Sequence, residues 1–384
     1  MSRARVLYGA LIAVILAAAV LPVSSGVSVG ETVRAAPRAT VAKAHWRPDA
    51  AVRAIVVSRT RVYIAGDFTH LRNRVTQKTV RRTRVAAFKR SNGALITRFH
   101  PRVNGSVDAL ALFGRKLVIG GDFSSINGHV RQSLGAVKGR SGELTPWQAT
   151  VDGPVRALLS MGGRVYVGGD FEHVNGMLRT YLFALDGRAA LSSTWPTQEA
   201  GTTDKRVYSL AASVDHLSVL VGGAFETLAG SPRTYLGEIS SEGGQVTDWN
   251  PAPLCENKCF VTSLVANRAR IYAGIAGPGG AVAAYRGDTG ALRWKRHANG
   301  TVEALALAGK HLILGGHFTS VAHHERRMFA ALQVRDGKVT RRAPASSGNP
   351  FPGILALDFH DHRIRMGGGF SSIAGQVRYA VLPE

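Results

Sequence analysis

Cysteine is nearly missing from this chain: Cys255 and Cys259 are the only two in 384 residues. With no further ligands of the right type nearby, the pair does not make a metal site. In an exported chain it predicts one small disulfide that pins its loop. Acidic residues are scarce, 25 against 48 basic ones, which leaves a formal charge of +23. That excess fits a solvated basic surface, or contact with anionic cell-wall polymers or phospholipid head groups. It does not point to nucleic acid, because no surface interleaving basic and aromatic residues can be picked out. Long apolar runs stop at Val23. The one present, Val6 to Val23 behind Arg3 and Arg5, reads as the centre of a secretory signal peptide with a small-residue cleavage site near Ala35 and Ala36, or as an uncleaved anchor within residues 1–35. Both readings place the remainder outside the cytoplasm, secreted or associated with the cell envelope, with membrane contact only through that segment and a linker at 36–43. Helical spacing is absent throughout. So are a nucleophile elbow, a phosphate loop and an HExxH pattern, which leans the reading away from an enzyme and from any cofactor.

What is present is repetition, the first feature to look for. The stretch VYVGGDFEHVNGMLR from Val165 returns as VYIAGDFTHLRN from Val62, LVIGGDFSSINGHVR from Leu117, VLVGGAFETLAGSPR from Val219, LILGGHFTSVAHHER from Leu312 and IRMGGGFSSIAGQVR from Ile364. A degenerate copy, IYAGIAGPGG from Ile271, has Gly277 where the others carry an aromatic. Each copy predicts a strand, then two small residues where the backbone turns or approaches a neighbour. The aromatic follows, at Phe68, Phe123, Phe171, Phe225, Phe318 and Phe370.

Five residues on stand Asn73, Gly128, Gly176, Gly230, His323 and Gly375, types that tolerate positive φ and so predict a left-handed turn. Eight residues on stand Arg131, Arg179, Arg233, Arg326 and Arg378, with Arg82 taking the place in the first copy after a six-residue insertion. Binding sites are few per protein, so an arginine in every copy is expected to be architectural. The aspartate before the Phe, at Asp67, Asp122 and Asp170, is replaced by Ala224, His317 and Gly369. It is therefore optional, and its expected role is a hydrogen bond or ion pair near the following loop, with the repeat arginine as one candidate partner. The GGDF string lacks the intervening glutamate of a nucleotide-cyclase signature.

Flanking segments are equally regular. A short strand such as Val107-Asp108-Ala109-Leu110 precedes each copy and forms a hairpin with it, and a third segment such as Tyr181 to Leu185 follows the arginine. Turn chemistry and a fourth segment ending in an aromatic complete the unit. Trp46, Trp147, Trp195, Trp249 and Trp294 occupy that fourth segment, with Phe99 in the same role, and are expected to pack between sheets. Four short strands, seven times, predict an all-β fold: a seven-bladed β-propeller of four-stranded blades over residues 44–384. The chain enters on Trp46, matching a fourth strand, and leaves on Tyr379 to Leu382, matching a third. The last blade is therefore expected to be closed by strands from both termini, leaving no raw edge. A monomer is the expected state.

The GG-x-F strand end, the loop ending in G-x-x-R, and the Phe99-His100-Pro101 and Trp249-Asn250-Pro251 endings together resemble the delta-60 repeat β-propellers of exported bacterial proteins. The resemblance covers Ala44 to Glu384. That family has no assigned activity, so it implies the fold rather than a reaction.

Function is looked for at the second residue of each first strand, which a propeller would point toward its central channel. That ring is Arg53, Asp108, Arg156, Tyr208, Thr262, Glu303 and Leu355, variable positions between nearly constant neighbours. A one-residue error in strand phase would turn these residues into core. Asp108 and Glu303 fall on the second and sixth blades, nearly across the ring, which disfavours a shared metal or a close acid/base pair. The loop histidines His323, His324, His360 and His362 have no carboxylate cluster beside them. The leading expectation is a non-enzymatic exported propeller that binds a glycan, an anionic envelope polymer or a protein. The alternative is a hydrolase or lyase acting on a polysaccharide or small ester at the channel mouth.

Overall fold

The computed structural model describes residues 45–192, 195, 203–252, 255 and 258–383. The expected signal peptide or anchor and the linker lie outside the described residues. Among these residues there is no helix, and none is long and apolar enough to cross a membrane. The repeat forms seven antiparallel sheets, each running from an inner strand through a middle strand to an outer one. In the second sheet these are Ser106–Phe113, Lys116–Asp122 and Leu134–Lys138.

Every middle strand is buried almost end to end, as in Arg61–Gly66, where Val62, Tyr63, Ile64 and Ala65 are each at most 3% exposed. This explains a run of apolar residues without polar alternation: each sheet has a neighbour on both faces. The hydrophobic clusters accordingly lie between sheets. One joins Val118 and Ala136 of the second sheet to Val165 and Phe183 of the third. All six repeat phenylalanines are buried, each burial contributing about 2–3 kcal/mol. The paired small residues allow two close approaches. A Cβ on Gly120 would lie 2.5 Å from Val155 Cγ1 of the following sheet, and one on Gly121 would lie 2.1 Å from the Ser106 carbonyl oxygen of its own inner strand.

Successive inner strands pack against one another, and the last of them, Ile354–His360, packs against the first, Val52–Val57. Gly367 repeats the glycine contact there, facing Val52. Phe88 and Tyr379 stack with ring centroids 5.9 Å apart across the same junction, and Arg90 pairs with Asp361.

The turn column holds in five of six places. Gly128, Gly176, Gly230, His323 and Gly375 have φ between 65° and 82°, and the residue before each is also left-handed, as at Asn127. Two consecutive positive φ values make the hairpin a type I′ turn. Asn73 is the exception. The insertion moves the left-handed residue to Gln77, and the Asn73 side chain instead accepts the N–H groups of Val75 and Thr76.

The repeat arginines are architectural. Arg131, Arg233 and Arg326 each donate to the preceding carbonyl and to the carbonyls of Thr145, Thr247 and Thr340, tying the hairpin to the segment after the outer strand. Arg82 does the same to Thr97, and Arg179 donates to Leu178. Arg378 does not belong to this set. Its N–H donates to the Phe370 carbonyl as Ser133 N–H does to Phe123, and both residues are left-handed. The last copy is two residues shorter, so Arg378 takes the place of Ser133, and its guanidinium donates to the Pro48 carbonyl instead.

Four-stranded sheets are the exception rather than the rule. Among the described residues only the fifth, built on Phe260–Asn267, Arg270–Ala276, Ala281–Arg286 and Leu292–His297, is regular to its fourth strand. Elsewhere the fourth segment shrinks to a single bridge, such as Val137 with Leu144 or Leu332 with Val339. The aromatics nevertheless pack where expected. Trp147, Trp195, Trp249 and Trp294 are 3–6% exposed. Their indole N–H groups donate to the carbonyls of Asp186, Ser240, Arg286 and Val334 in the following sheet.

The entering strand needs a further correction. Trp46–Pro48 pairs with His70–Asn73 of the first unit, not with the last sheet. Asp49 accepts the N–H groups of Thr69 and His70, the task performed by Asn104, Asp152, Asp204 and Asn299 in the other units. That register sets Trp46 two residues out of the tryptophan column, although it still packs in one cluster with Tyr379. The last sheet ends at Tyr379–Pro383. Its edge is served by the buried Gln376 side chain, which donates to the Val381 carbonyl and accepts the Val381 N–H, both at 3.3 Å.

Cys255 and Cys259 are disulfide-bonded.

Candidate functional site

Every inner strand carries a register shift at the same point: between Val52 and Ala54, Val107 and Ala109, Val155 and Ala157, Val207 and Ser209, Val261 and Ser263, Val302 and Ala304, and Ile354 and Ala356. The unpaired residue at each bulge is the variable one. A bulge leaves a residue without a ladder partner and re-aims its side chain. Arg53, Asp108, Arg156, Tyr208, Thr262, Glu303 and Leu355 consequently line a single cavity of about 250 Å³.

One part of the wall is an alternating charge network. Arg156 Nη1 donates to Asp108 Oδ2 at 2.6 Å, and Arg53 Nε lies 3.6 Å from Asp108 Oδ1 and 2.8 Å from Asp67 Oδ2. Ser106 donates to the other Asp67 oxygen at 2.7 Å. Arg206 pairs with Asp170 at 2.8 Å. Asp67 and Asp170 therefore serve arginines on an inner strand or just before one, and not the repeat arginine. Burial raises the Asp108 carboxyl above the ordinary range, against the pull of Arg156 and Arg53.

The remaining wall is different. Tyr208 packs on Phe260, ring centroids 5.1 Å apart. The Thr262 hydroxyl donates to the Val302 carbonyl at 2.5 Å and is thereby spent on holding the next sheet. Burial raises the Glu303 carboxyl, offset by Arg53, and burial lowers the His317 imidazole, which favours its neutral form. His317 Nε2 accepts the Thr301 N–H, which turns Nδ1 toward Glu303 Oε1 at 3.6 Å. The His317 ring in turn meets Phe351 edge to face at 5.5 Å.

Sequence reasoning places Asp67 and Asp170 outside the site and misses Ser106, Arg206, Phe260, His317 and Phe351 in this second tier. A signal existed, since Ser106, Arg206, Phe260 and Thr301 directly precede the constant valine and vary as much as the ring does. The loop histidines are not brought together. His360 pairs with Asp358 at 3.0 Å, and no group of three metal-ligating side chains occurs among the described residues.

No family model matches the chain, and no curated protein matches it. Solved structures do. The WD40 β-propeller domain of Doa1 superposes with a TM-score of 0.56 at 13% identity, over 88% of this chain and 94% of that one. The computationally designed Ika8 protein superposes with a TM-score of 0.53 at 13% identity, over 87% and 96%. Likeness at that identity speaks for the fold alone, and the fold is an all-β propeller.

Proposed function

We propose that the seven sheets are the blades of a closed propeller of the delta-60 repeat type, exported from the cell, whose bulge-aimed residues bind an extracellular glycan without transforming it. The observation that carries this reading is that seven variable residues converge on one cavity while their neighbours barely change. The disulfide fits an oxidising compartment.

Among the partners considered, a glycan fits the cavity best. Arg53, Arg156 and Arg206 each already face a carboxylate, so the cavity has little positive field left for a polyanion, whatever the surface charge does elsewhere. Ion-paired guanidinium and carboxylate groups offer fixed donors and acceptors to hydroxyls.

The test is a glycan array probed with the exported chain and with Asp108→Ala and Arg156→Ala. Binding to a neutral glycan that drops in both variants is the expected result. Salt-sensitive binding to acidic polymers alone, unchanged in both variants, would refute it.

A second reading, a hydrolase or lyase, draws on one observation. A half-buried carboxyl raised in its titration, as Glu303 is, is the kind of group that acts as a general acid. Turnover of any bound glycan that vanishes in Glu303→Ala would put this reading first.

A further inference from the structure

We infer that Tyr208 and Glu303 of the cavity wall, together with the side chains packed beside them, form a subsite for one neutral saccharide ring, with Tyr208–Phe260 and His317–Phe351 as its aromatic surfaces and Glu303 as its hydrogen-bonding group. The inference rests on the glycan reading above and narrows it to particular side chains.

Two of the subsite's members, Glu303 and Tyr208, line the cavity, and each carries an aromatic neighbour: His317, which meets Phe351, stands beside Glu303, and Phe260 packs on Tyr208. Phe351 is 67% exposed, among the most exposed large apolar side chains described. It is held in place all the same. Pro350 and Pro352 flank it, the Asn349 side chain accepts its N–H at 2.9 Å, and the following Gly353 is left-handed with φ 76°. A backbone fixed in this way presents the ring to solvent with part of the ordering already done, which lowers the entropic cost of receiving a partner.

The chemistry selects the class of ligand. Aromatic faces suit the C–H faces of a sugar ring, while a carboxyl and an imidazole N–H suit its hydroxyls. A cationic ligand is disfavoured because Arg53 acts on Glu303 and the chain carries a charge of +23. An anionic one would meet the Glu303 carboxyl directly.

The test uses calorimetry on the full chain with neutral glucan, mannan and chitin hexamers, and with a galacturonate hexamer as the anionic probe. At least one neutral hexamer is expected to bind. Phe351→Ala and Phe260→Ala should each weaken that binding roughly three- to tenfold, the size of an aromatic contact, and Phe351→Trp should restore it. Because Phe351 is exposed, its variants are expected to keep the parental thermal midpoint, which guards against misfolding. If a neutral hexamer binds and is lost in Asp108→Ala but untouched in Phe351→Ala and Phe260→Ala, the subsite is wrong and the glycan reading survives. If no neutral hexamer binds, or only the galacturonate does, both fall together.

Discussion

The contact between the last sheet and the first can be tested by adding one carbon. A Cβ on Gly367 would lie 2.5 Å from Val52 Cγ1 and 2.9 Å from Val52 Cβ, whereas unstrained carbons sit about 3.5–4.0 Å apart. Gly120 provides an internal standard, because its Cβ would meet Val155 Cγ1 at the same 2.5 Å between two consecutive sheets. Overpacking of this kind costs about 1–3 kcal/mol, or a fall of roughly 2–6 °C in Tm for a body of this size. Gly367→Ala and Gly120→Ala are therefore expected to lower Tm by similar amounts in a calorimetric scan. Val52 is fully buried, so Val52→Ala alone should cost about 2 kcal/mol for its lost methyl groups. Combined with Gly367→Ala it opens room for the new methyl, and the pair should be non-additive by about 1 kcal/mol or more. Should Gly367→Ala prove silent while Gly120→Ala destabilises, or should the Val52 and Gly367 effects simply add, the two ends of the array would not be in contact in solution.

Gln376→Leu removes both side-chain bonds to the Val381 backbone, and should cost about 1–3 kcal/mol, seen as a lower urea midpoint and faster exchange of the Val381 amide; an unchanged midpoint would mean the edge needs no such cover. Because burial raises the Glu303 carboxyl in the folded state, its stabilising share is present below the unfolded carboxylate range and is lost as pH rises through the folded value. Glu303→Gln should thus raise Tm relative to the parent at neutral pH, with the gain disappearing near about pH 4; a gain that grew toward acid would reverse the assignment. Reducing the Cys255–Cys259 disulfide, whose partners are four residues apart, should cost no more than about 2 kcal/mol, since the loop it closes is short. Scanning with and without a phosphine reductant measures this, and complete unfolding on reduction would show that the loop matters far more than its length implies.

Much of this architecture was legible in the residues because each repeat must solve the same packing problem. Phe123, Gly120 and Arg131 mark three separate requirements: a filled core, a close sheet-to-sheet approach, and a clamp on the next segment. Each requirement leaves the same residue type at the same offset. The cavity ring was legible for the opposite reason, as the column where packing imposes nothing.

What escaped the reading were relations that depend on the partner and not on the residue itself. Asp67 was matched to the repeat arginine, when the backbone brings Arg53 nearer. Arg378 was counted at eight residues past its Phe, but two deleted residues in the hairpin moved it into another role. Tryptophan spacing suggested that Trp46 closes the last sheet, whereas the Asp49 cap locks the entering strand onto Leu71 and its neighbours.

Taken by itself, the sequence determined the strand units and which positions are constrained, since periodicity and side-chain size act locally and recur from copy to copy. Only the tertiary structure decided where the variable residues point and which of them meet. A bulge in each inner strand turns those side chains into a shared cavity. The same is true of the last edge, where Gln376 finds Val381 only once the shortened hairpin has folded back on its own strand.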